Sequence, residues 1–291
     1  MQTYFDCRTF WLAAFIVTGI VAIASVECLG SVPSNLGQGS QKSLTPVHVE
    51  IEKQRMRLTS GEGEERRDAV ARLGSMHHPE ASRLAMSALK DPLAIVRATA
   101  VTAILSLPAE ESATNLIPLL NDKDEFVRRE TAYALGRTRS AMAISPLVDR
   151  LLTDKKDEVR GAAAIALGQV KDASAVSALV SVLVGQQFGS APSKKSQKRK
   201  KEQNAFVLRS VARSLGQIGS RDGLPALIAV LQDEKAEDDV RREAATALGL
   251  IADESALPPL RSALTARDPY LGEAAERAIR KIQRLKRPSG N

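Results

Sequence analysis

The side chains that commonly carry chemistry are few in this chain, and they are scattered. There are three histidines, His48, His77 and His78, and two cysteines, Cys7 and Cys28. The densest metal-ligating run is His77-His78-Pro79-Glu80. Side chains at neighbouring positions point in different directions, so one such run cannot make a di-metal site. It reads as a turn between two helices with exposed imidazoles. No Gly-x-Ser-x-Gly elbow, Walker loop or Cys-x-x-Cys pair occurs in the body of the chain. The paired acids Asp124-Glu125 and Asp238-Asp239 precede helical runs, where negative charge balances the helix dipole. The residues alone therefore predict no catalytic centre, no metal ligand set and no cofactor.

Positive charge is the other chemistry available. The formal net charge is +7, but it is concentrated. The stretch 185–204 (GQQFGSAPSKKSQKRKKEQN) holds Lys194, Lys195, Lys198, Arg199, Lys200 and Lys201 against the single acid Glu202, and residues 277–291 form a second basic concentration. The remaining body is close to neutral, which excludes a nucleic-acid surface running over the whole protein. The run 185–204 reads first as a solvated loop inserted between structural units. Its functional reading is an electrostatic hook for something acidic: lipid headgroups, an anionic polymer or an acidic protein. No aromatic residue is interleaved among the lysines, so stacking on single-stranded nucleic acid is unsupported and no specific nucleic acid is expected.

The elements that hold these residues must be helical. Of the 291 residues 44% are apolar but only 3% are aromatic, a composition of Ala, Leu, Val and Ile that suits closely stacked helices. Both cysteines lie near the N-terminus, so the body is held by packing alone. Thr9–Val26 carries no charge, follows Arg8, and contains the small-x-small triplet Ala22-Ile23-Ala24. Residues 1–30 are thus expected to be a signal peptide or a membrane anchor, and the protein to be exported or anchored. Residues 31–61, rich at first in Ser, Gly, Pro and Gln, are expected to be a flexible linker.

From residue 62 onward the chain repeats itself. FVRRETAYALG (126–136), EVRGAAAIALG (158–168), FVLRSVARSLG (206–216) and DVRREAATALG (239–249) are copies of one pattern, and EERRDAVARLG (64–74), IVRATAVTAIL (95–105) and PYLGEAAERAI (269–279) are weaker ones. The valines Val96, Val127, Val159, Val207 and Val240 are separated by 31, 32, 48 and 33 residues, so the third interval is one period plus an insertion. Within a copy, apolar and small residues recur at three- and four-residue steps, which gives a helix one buried face. Gly74, Gly136, Gly168, Gly216 and Gly249 follow at a fixed offset and are expected to end these helices with a positive φ. A second apolar run follows each, often with a proline near its start (Pro118, Pro146, Pro225, Pro258). Six helical pairs over 62–265 and a last helix from 268 to about 286 result, with 287–291 as a tail.

The signature D-x-x-x-x-V-R-x-x-A-A-x-A-L-G resembles the short HEAT repeats of the phycobilisome-lyase type. The resemblance implies an all-α solenoid in which Arg66, Arg97, Arg128, Arg160 and Arg241 join polar contacts between successive repeats, with a gap where Leu208 replaces Arg. Two groups with such repeats are enzymes or enzyme-associated: bilin lyases, and deoxyhypusine hydroxylases, which bind iron through paired His-Glu dipeptides. No histidine of this chain is followed by Glu. Stacked second helices are expected to line an inner groove for a protein partner, through Arg83, Asn115, Asp149, Arg150, Ser181 and Arg261. The reading on these grounds is a non-catalytic scaffold or adaptor. The alternatives are a polyanion- or membrane-surface-binding protein acting through the basic run, and a lyase-like or hydroxylase-like enzyme or enzyme subunit.

Overall fold

The computed structural model describes residues 45–185 and 194–286, with the side chains of 194–204 left out, and all of these residues fall in one compact unit, Leu44–Asn291. The expected signal or anchor segment 1–30, the first part of the linker, residues 186–193 of the insertion and the tail 287–291 lie outside the described residues. Among the described residues there is no strand, and no helix is long and apolar enough to cross a membrane.

Six helical pairs follow one another: α2 (Gly63–Ser75) with α3 (Pro79–Ala85), α4 (Ala94–Ala103) with α5 (Ala109–Leu116), α6 (Glu125–Thr138) with α7 (Ile144–Thr153), α8 (Asp157–Val170) with α9 (Val176–Gly185), α10 (Lys194–Ile218) with α11 (Leu224–Gln232), and α12 (Asp238–Ile251) with α13 (Leu257–Ala263). They are preceded by α1 (Pro46–Arg57) and closed by α14 (Pro269–Lys286). Two expectations are corrected by this layout. The supposed linker 31–61 contains α1, which buries Ile51 completely and Gln54 almost so. The basic insertion is not all loop, because the backbone is helical from Lys194 onward. Lys, Arg, Gln and Glu are good helix formers, and neither Gly nor Pro interrupts 194–215.

The first helices of the pairs stack directly on one another, α2 on α4, α4 on α6, α6 on α8, α8 on α10, α10 on α12 and α12 on α14. Their shared face is almost all alanine, as in α8, where Ala162, Ala163, Ala164 and Ala166 are fully buried. The second helices supply the larger side chains, with Leu147, Leu151, Leu179, Leu183, Leu227 and Leu260 fully buried beneath them. Each pair thus has a thin alanine edge and a thick leucine edge, and neither edge is closed without the next pair.

The repeated glycines have a different role from the one expected. Gly74, Gly136, Gly168, Gly216 and Gly249 lie inside their helices, and none has a positive φ. The left-handed residue comes three positions later each time: His77, Arg139, Lys171, Gly219 and Ala252. There the cap amide turns back to the helix, as from Lys171 N–H to the Leu167 carbonyl at 3.2 Å. The glycines serve close approach instead. A Cβ on Gly136 would stand 2.7 Å from Ala166 Cα, and one on Gly216 or Gly249 would meet Ala247 or Ala278 Cα at 2.7 and 2.8 Å. At Gly168 the neighbour is Ser214, whose hydroxyl donates to the Ala164 carbonyl at 2.7 Å and so bonds one first helix to the next.

A ladder of ion pairs runs beside this contact. Arg66 grips Asp91 through Nε and Nη2 at 2.7 and 3.0 Å, Arg97 grips Asp122 at 2.7 and 2.8 Å, and Arg128 grips Asp154 at 2.8 and 3.1 Å. In each case the remaining nitrogen, Nη1, donates to backbone carbonyls just before its own helix, such as Asp91 and Pro92 for Arg97. Each aspartate also accepts a backbone N–H two residues on, from Leu93, Asp124 or Lys156. The regular ladder stops at the insertion. Arg160 turns to the Leu151 carbonyl and Asp157, and Arg241 to the Leu231 carbonyl, while Asp268 is taken by Arg242.

The bond to Arg66 holds the Asp91 carboxyl below its ordinary value. At Asp122 and Asp154 burial is the largest influence and opposes ionisation, but the arginine and the backbone N–H together outweigh it and both carboxyls are also lowered. A carboxyl more acidic in the folded than in the unfolded chain adds stability that is complete above about pH 4 and is lost as pH falls through the folded value. Denaturant titrations at stepped pH should therefore show a falling acid limb below about pH 4, flattened in Asp91→Asn and Asp122→Asn.

Two substitutions separate the glycine roles. Gly136→Val should destabilise by about 2 kcal/mol, because the alanine backbone of α8 blocks the new side chain. Arg139→Gly should be neutral or stabilise by up to about 1 kcal/mol, because the left-handed cap is there and not at Gly136. Chemical denaturation of the two variants checks both.

Candidate functional site

The Phe and Tyr side chains among the described residues are Phe126, Tyr133 and Phe206 on first helices and Tyr270 on the closing helix α14. Phe126, Phe206 and Tyr270 each precede the apolar anchor of their repeat, Val127, Val207 and Leu271, by one residue. The anchor points into the core, so the residue before it is turned toward solvent at the helix start. Phe126 is 37% exposed and Tyr270 62% exposed. Arginine covers both rings: Arg129 lies 4.9 Å from the Phe126 centroid, and Arg242 lies 5.2 Å from that of Tyr270. Tyr133, two turns further along α6, is half-buried, and that burial pushes its phenol up, keeping it neutral at physiological pH.

Between these two rings lies a cleft of about 370 Å³, lined by Ile165 of α8, Phe206, Arg209, Ser210 and Arg213 of α10, and Asp239, Arg242 and Glu243 of α12. Its apolar floor exists because the fourth repeat has Gly161 at the position where the third and sixth have Arg129 and Arg242. The Phe206 ring rests on that glycine, so close that a Cβ there would come within 2.1 Å of Cε1. The polar wall is made of pairs that cross from α10 to α12, Arg209 with Asp239 at 2.9 Å and Arg213 with Glu243 at 3.0 Å. The bond to Glu243 raises the Arg213 guanidinium above its ordinary value. Arg209 Nε is buried and has no hydrogen-bond partner. An apolar seat rimmed by paired charges suits a protein or peptide segment with an apolar side chain to offer.

The residues expected to line a groove on the second helices do not converge. Arg83 pairs with Glu111 across α3 and α5 at 3.2 Å, and Asn115 donates to the Glu111 carbonyl. Asp149 and Arg150 pair with each other, Ser181 donates to the Ala178 carbonyl, and Arg261 lies exposed. Of the basic run, Lys194, Lys195, Lys198, Arg199, Lys200 and Lys201, the backbone is helical and the side chains lie outside the described residues. The aromatic strip was missed from sequence because the rings are only one or two to a repeat and are spread over three helices. Its signal was present as the recurring aromatic-Val pair at 126–127 and 206–207.

The histidines sit at the start of the fold, away from this cleft. His48 of α1 meets Glu80 of α3 through Nε2 at 3.1 Å and Thr45 through Nδ1, so both its nitrogens are engaged. His78 Nδ1 accepts the Glu80 backbone N–H at 3.3 Å and caps α3. Among the described residues no group of three or more His, Cys, Asp or Glu side chains could hold a metal ion.

A model of HEAT repeats matches residues 54–135, 114–187 and 197–281. Deoxyhypusine hydroxylase-B of Oryza sativa subsp. japonica is 36% identical over 104 residues, 35% of this chain and 34% of the relative. Deoxyhypusine hydroxylase of Gallus gallus is 37% identical over 86 residues, 29% of this chain and 28% of the relative. The chain thus spans about a third of the length of the curated relatives it matches. Among solved structures, the Escherichia coli protein YibA aligns with a TM-score of 0.52 at 21% identity, over 81% of this chain and 82% of that one, which shows the fold. The relatives are named as enzymes, and this overturns the expectation of a non-catalytic adaptor that is no enzyme.

The seat of Phe206 on Gly161 is open to a double-mutant cycle. Gly161→Ala should cost about 1 kcal/mol by displacing the ring, and should cost less in a Phe206→Leu background. Equal costs in the two backgrounds, measured by denaturation, would show that the ring does not rest there.

Proposed function

The chain belongs to the HEAT-repeat family, and on that premise we propose that it is a component of a protein-modifying enzyme of the deoxyhypusine hydroxylase kind, the component that grips the protein substrate. Kinship with enzymes of that name over about a third of their length supports the class. The strip of aromatic and arginine side chains on the first helices, with its cleft at Phe206, is the observation that supports the gripping role. Aromatic residues and Arg are enriched where proteins recognise one another, the rings because they bury much surface at small cost in side-chain freedom.

The iron that the resemblance implies does not fit the residues of this chain. There are three histidines in all, none followed by Glu, and His48 and His78 are already engaged in local contacts that dock α1 and cap α3. The hydroxylation step belongs to donors outside this sequence, and no chemical step is assigned to its own side chains. Its part is to bind and orient. The apolar floor of Ile165 and Phe206 takes a substrate side chain, and Asp239 and Glu243, besides their pairs with Arg209 and Arg213, face the cationic tail of a modified lysine.

Calorimetric titration with a peptide bearing deoxyhypusine tests this. Wild-type protein should bind it more tightly than the same peptide with alanine at that position, and Phe206→Ser with Glu243→Gln should weaken binding at least tenfold, about 1.4 kcal/mol. No binding by the wild type, or equal binding by the variant, would overturn the proposal.

A further inference from the structure

A second cleft lies at the other end of the first helices, and the recognition of substrate makes no use of it. It measures about 520 Å³ and is lined by Gly136, Arg137 and Arg139 at the end of α6, Gly168, Gln169 and Lys171 at the end of α8, and Gln217 near the end of α10. Three cations surround it and no carboxylate lines it. Elsewhere along the first helices arginine is routinely paired, as Arg66, Arg97, Arg128, Arg209, Arg213 and Arg242 show. Arg137, Arg139 and Lys171 are exposed and have no ion-pair partner among the described residues.

The two glutamines strengthen the pattern. Gln169 Oε1 and Gln217 Oε1 are buried with no hydrogen-bond partner. Each rests on the glycine of the preceding repeat: a Cβ on Gly136 would stand 2.3 Å from Gln169 Oε1, and one on Gly168 would stand 2.5 Å from Gln217 Oε1. With the oxygen turned in against a glycine backbone, the amide NH2 is the end left to face the cleft. The opposite orientation would bury two unpaired donors instead of two oxygens in weak Cα–H contact. Every side-chain polar group so presented is a donor.

Two of the cations, Arg139 and Lys171, occupy left-handed caps with φ of 54° and 62°, where glycine or asparagine is more comfortable and where the next repeat has Gly219. A cation at a helix C-terminus also offsets the dipole, but that offset is about half a charge per helix. Three full charges at three helix ends therefore leave a clear positive excess.

We infer that this cleft binds a small phosphate-bearing ligand carrying more than one negative charge, with Arg137, Arg139 and Lys171 neutralising the phosphate oxygens and the Gln169 and Gln217 amides donating to them. Cationic and amide donors around a concave, glycine-floored site suit the tetrahedral oxygens of phosphate, and the cleft has room for two linked phosphate groups. The inference stands apart from the substrate-gripping face, because the two clefts share no residue.

The test uses the full chain with inorganic phosphate and pyrophosphate as probes, each against sodium chloride at matched ionic strength. Thermal unfolding and phosphorus NMR line widths are both read. Pyrophosphate should raise the unfolding temperature of the wild type more than phosphate does, and more than chloride does. The variant Arg137→Gln with Arg139→Asn and Lys171→Asn should bind pyrophosphate at least tenfold more weakly. Asparagine accepts the left-handed cap, so this variant should fold, and the single change Arg137→Gln serves as a second, milder test with the same direction. Lys155→Gln with Arg261→Gln, two exposed cations elsewhere, should respond as the wild type does. No pyrophosphate response beyond chloride in the wild type would overturn the inference, and so would an equal loss in both sets of variants, which would mean unspecific charge screening.

Discussion

Successive first helices touch backbone to backbone, and most of the architecture follows from that contact. A glycine near the end of one helix lies against an alanine of the next, so near that a single added carbon would collide with the main chain at Gly136, Gly216 and Gly249. Helices normally lie 8–10 Å apart according to the side chains between them. Here those side chains are absent or single methyl groups, and the layer is thin. The second helices are held further apart by leucine, so the two edges of each pair differ, and the pair closes only against its neighbours. This is also why substitutions along the alanine edge cannot be absorbed locally: there is no side chain free to move aside.

Charge fixes the register of that stack in the first half of the chain and loosens at the insertion. From Arg66 to Asp154 each arginine is bound to the aspartate of the following turn and to the backbone of its own, so one side chain fastens three segments. At Arg160 the succession ends, and Leu208 takes the arginine slot in the following repeat. The same region holds the changes that build the candidate site. Gly161 replaces a larger residue, Phe206 fills the space it leaves, and charge pairs cross from α10 to α12 on the outside of the stack. The repeat loses its regular arginine ladder where it acquires a cleft.

The sequence made the fold legible because periodicity reports burial. The Val, Ala and Leu positions of each copy named the core faces, and the six pairs with a closing helix were all readable from them. The glycines were located but misread, since a glycine that ends a helix and one that admits a neighbouring backbone look alike in one dimension. The true helix end, three residues later, is filled by His77, Arg139, Lys171, Gly219 and Ala252, five different residue types. The helix α1 was hidden for a similar reason: its mostly polar, charged composition offers one clear core residue, Ile51. The candidate site was illegible because it is spread over three repeats, one or two residues from each, and only stacking brings Ile165, Phe206 and Glu243 together. Likeness to the hydroxylases entered from the repeat signature only as an alternative to the adaptor reading, because the His-Glu dipeptides that would have favoured it are not in the chain.

The central claim is that the first-helix face, and not the second, holds the substrate. Hydrogen exchange on the whole chain, with and without a saturating deoxyhypusine-bearing peptide, addresses it directly, because amides under a bound segment open less often. The account predicts added protection over residues 206–213 and 239–246, with α7, α9 and α11 unchanged. Protection concentrated on 144–153, 176–185 and 224–232 would place the binding face on the second helices and contradict it.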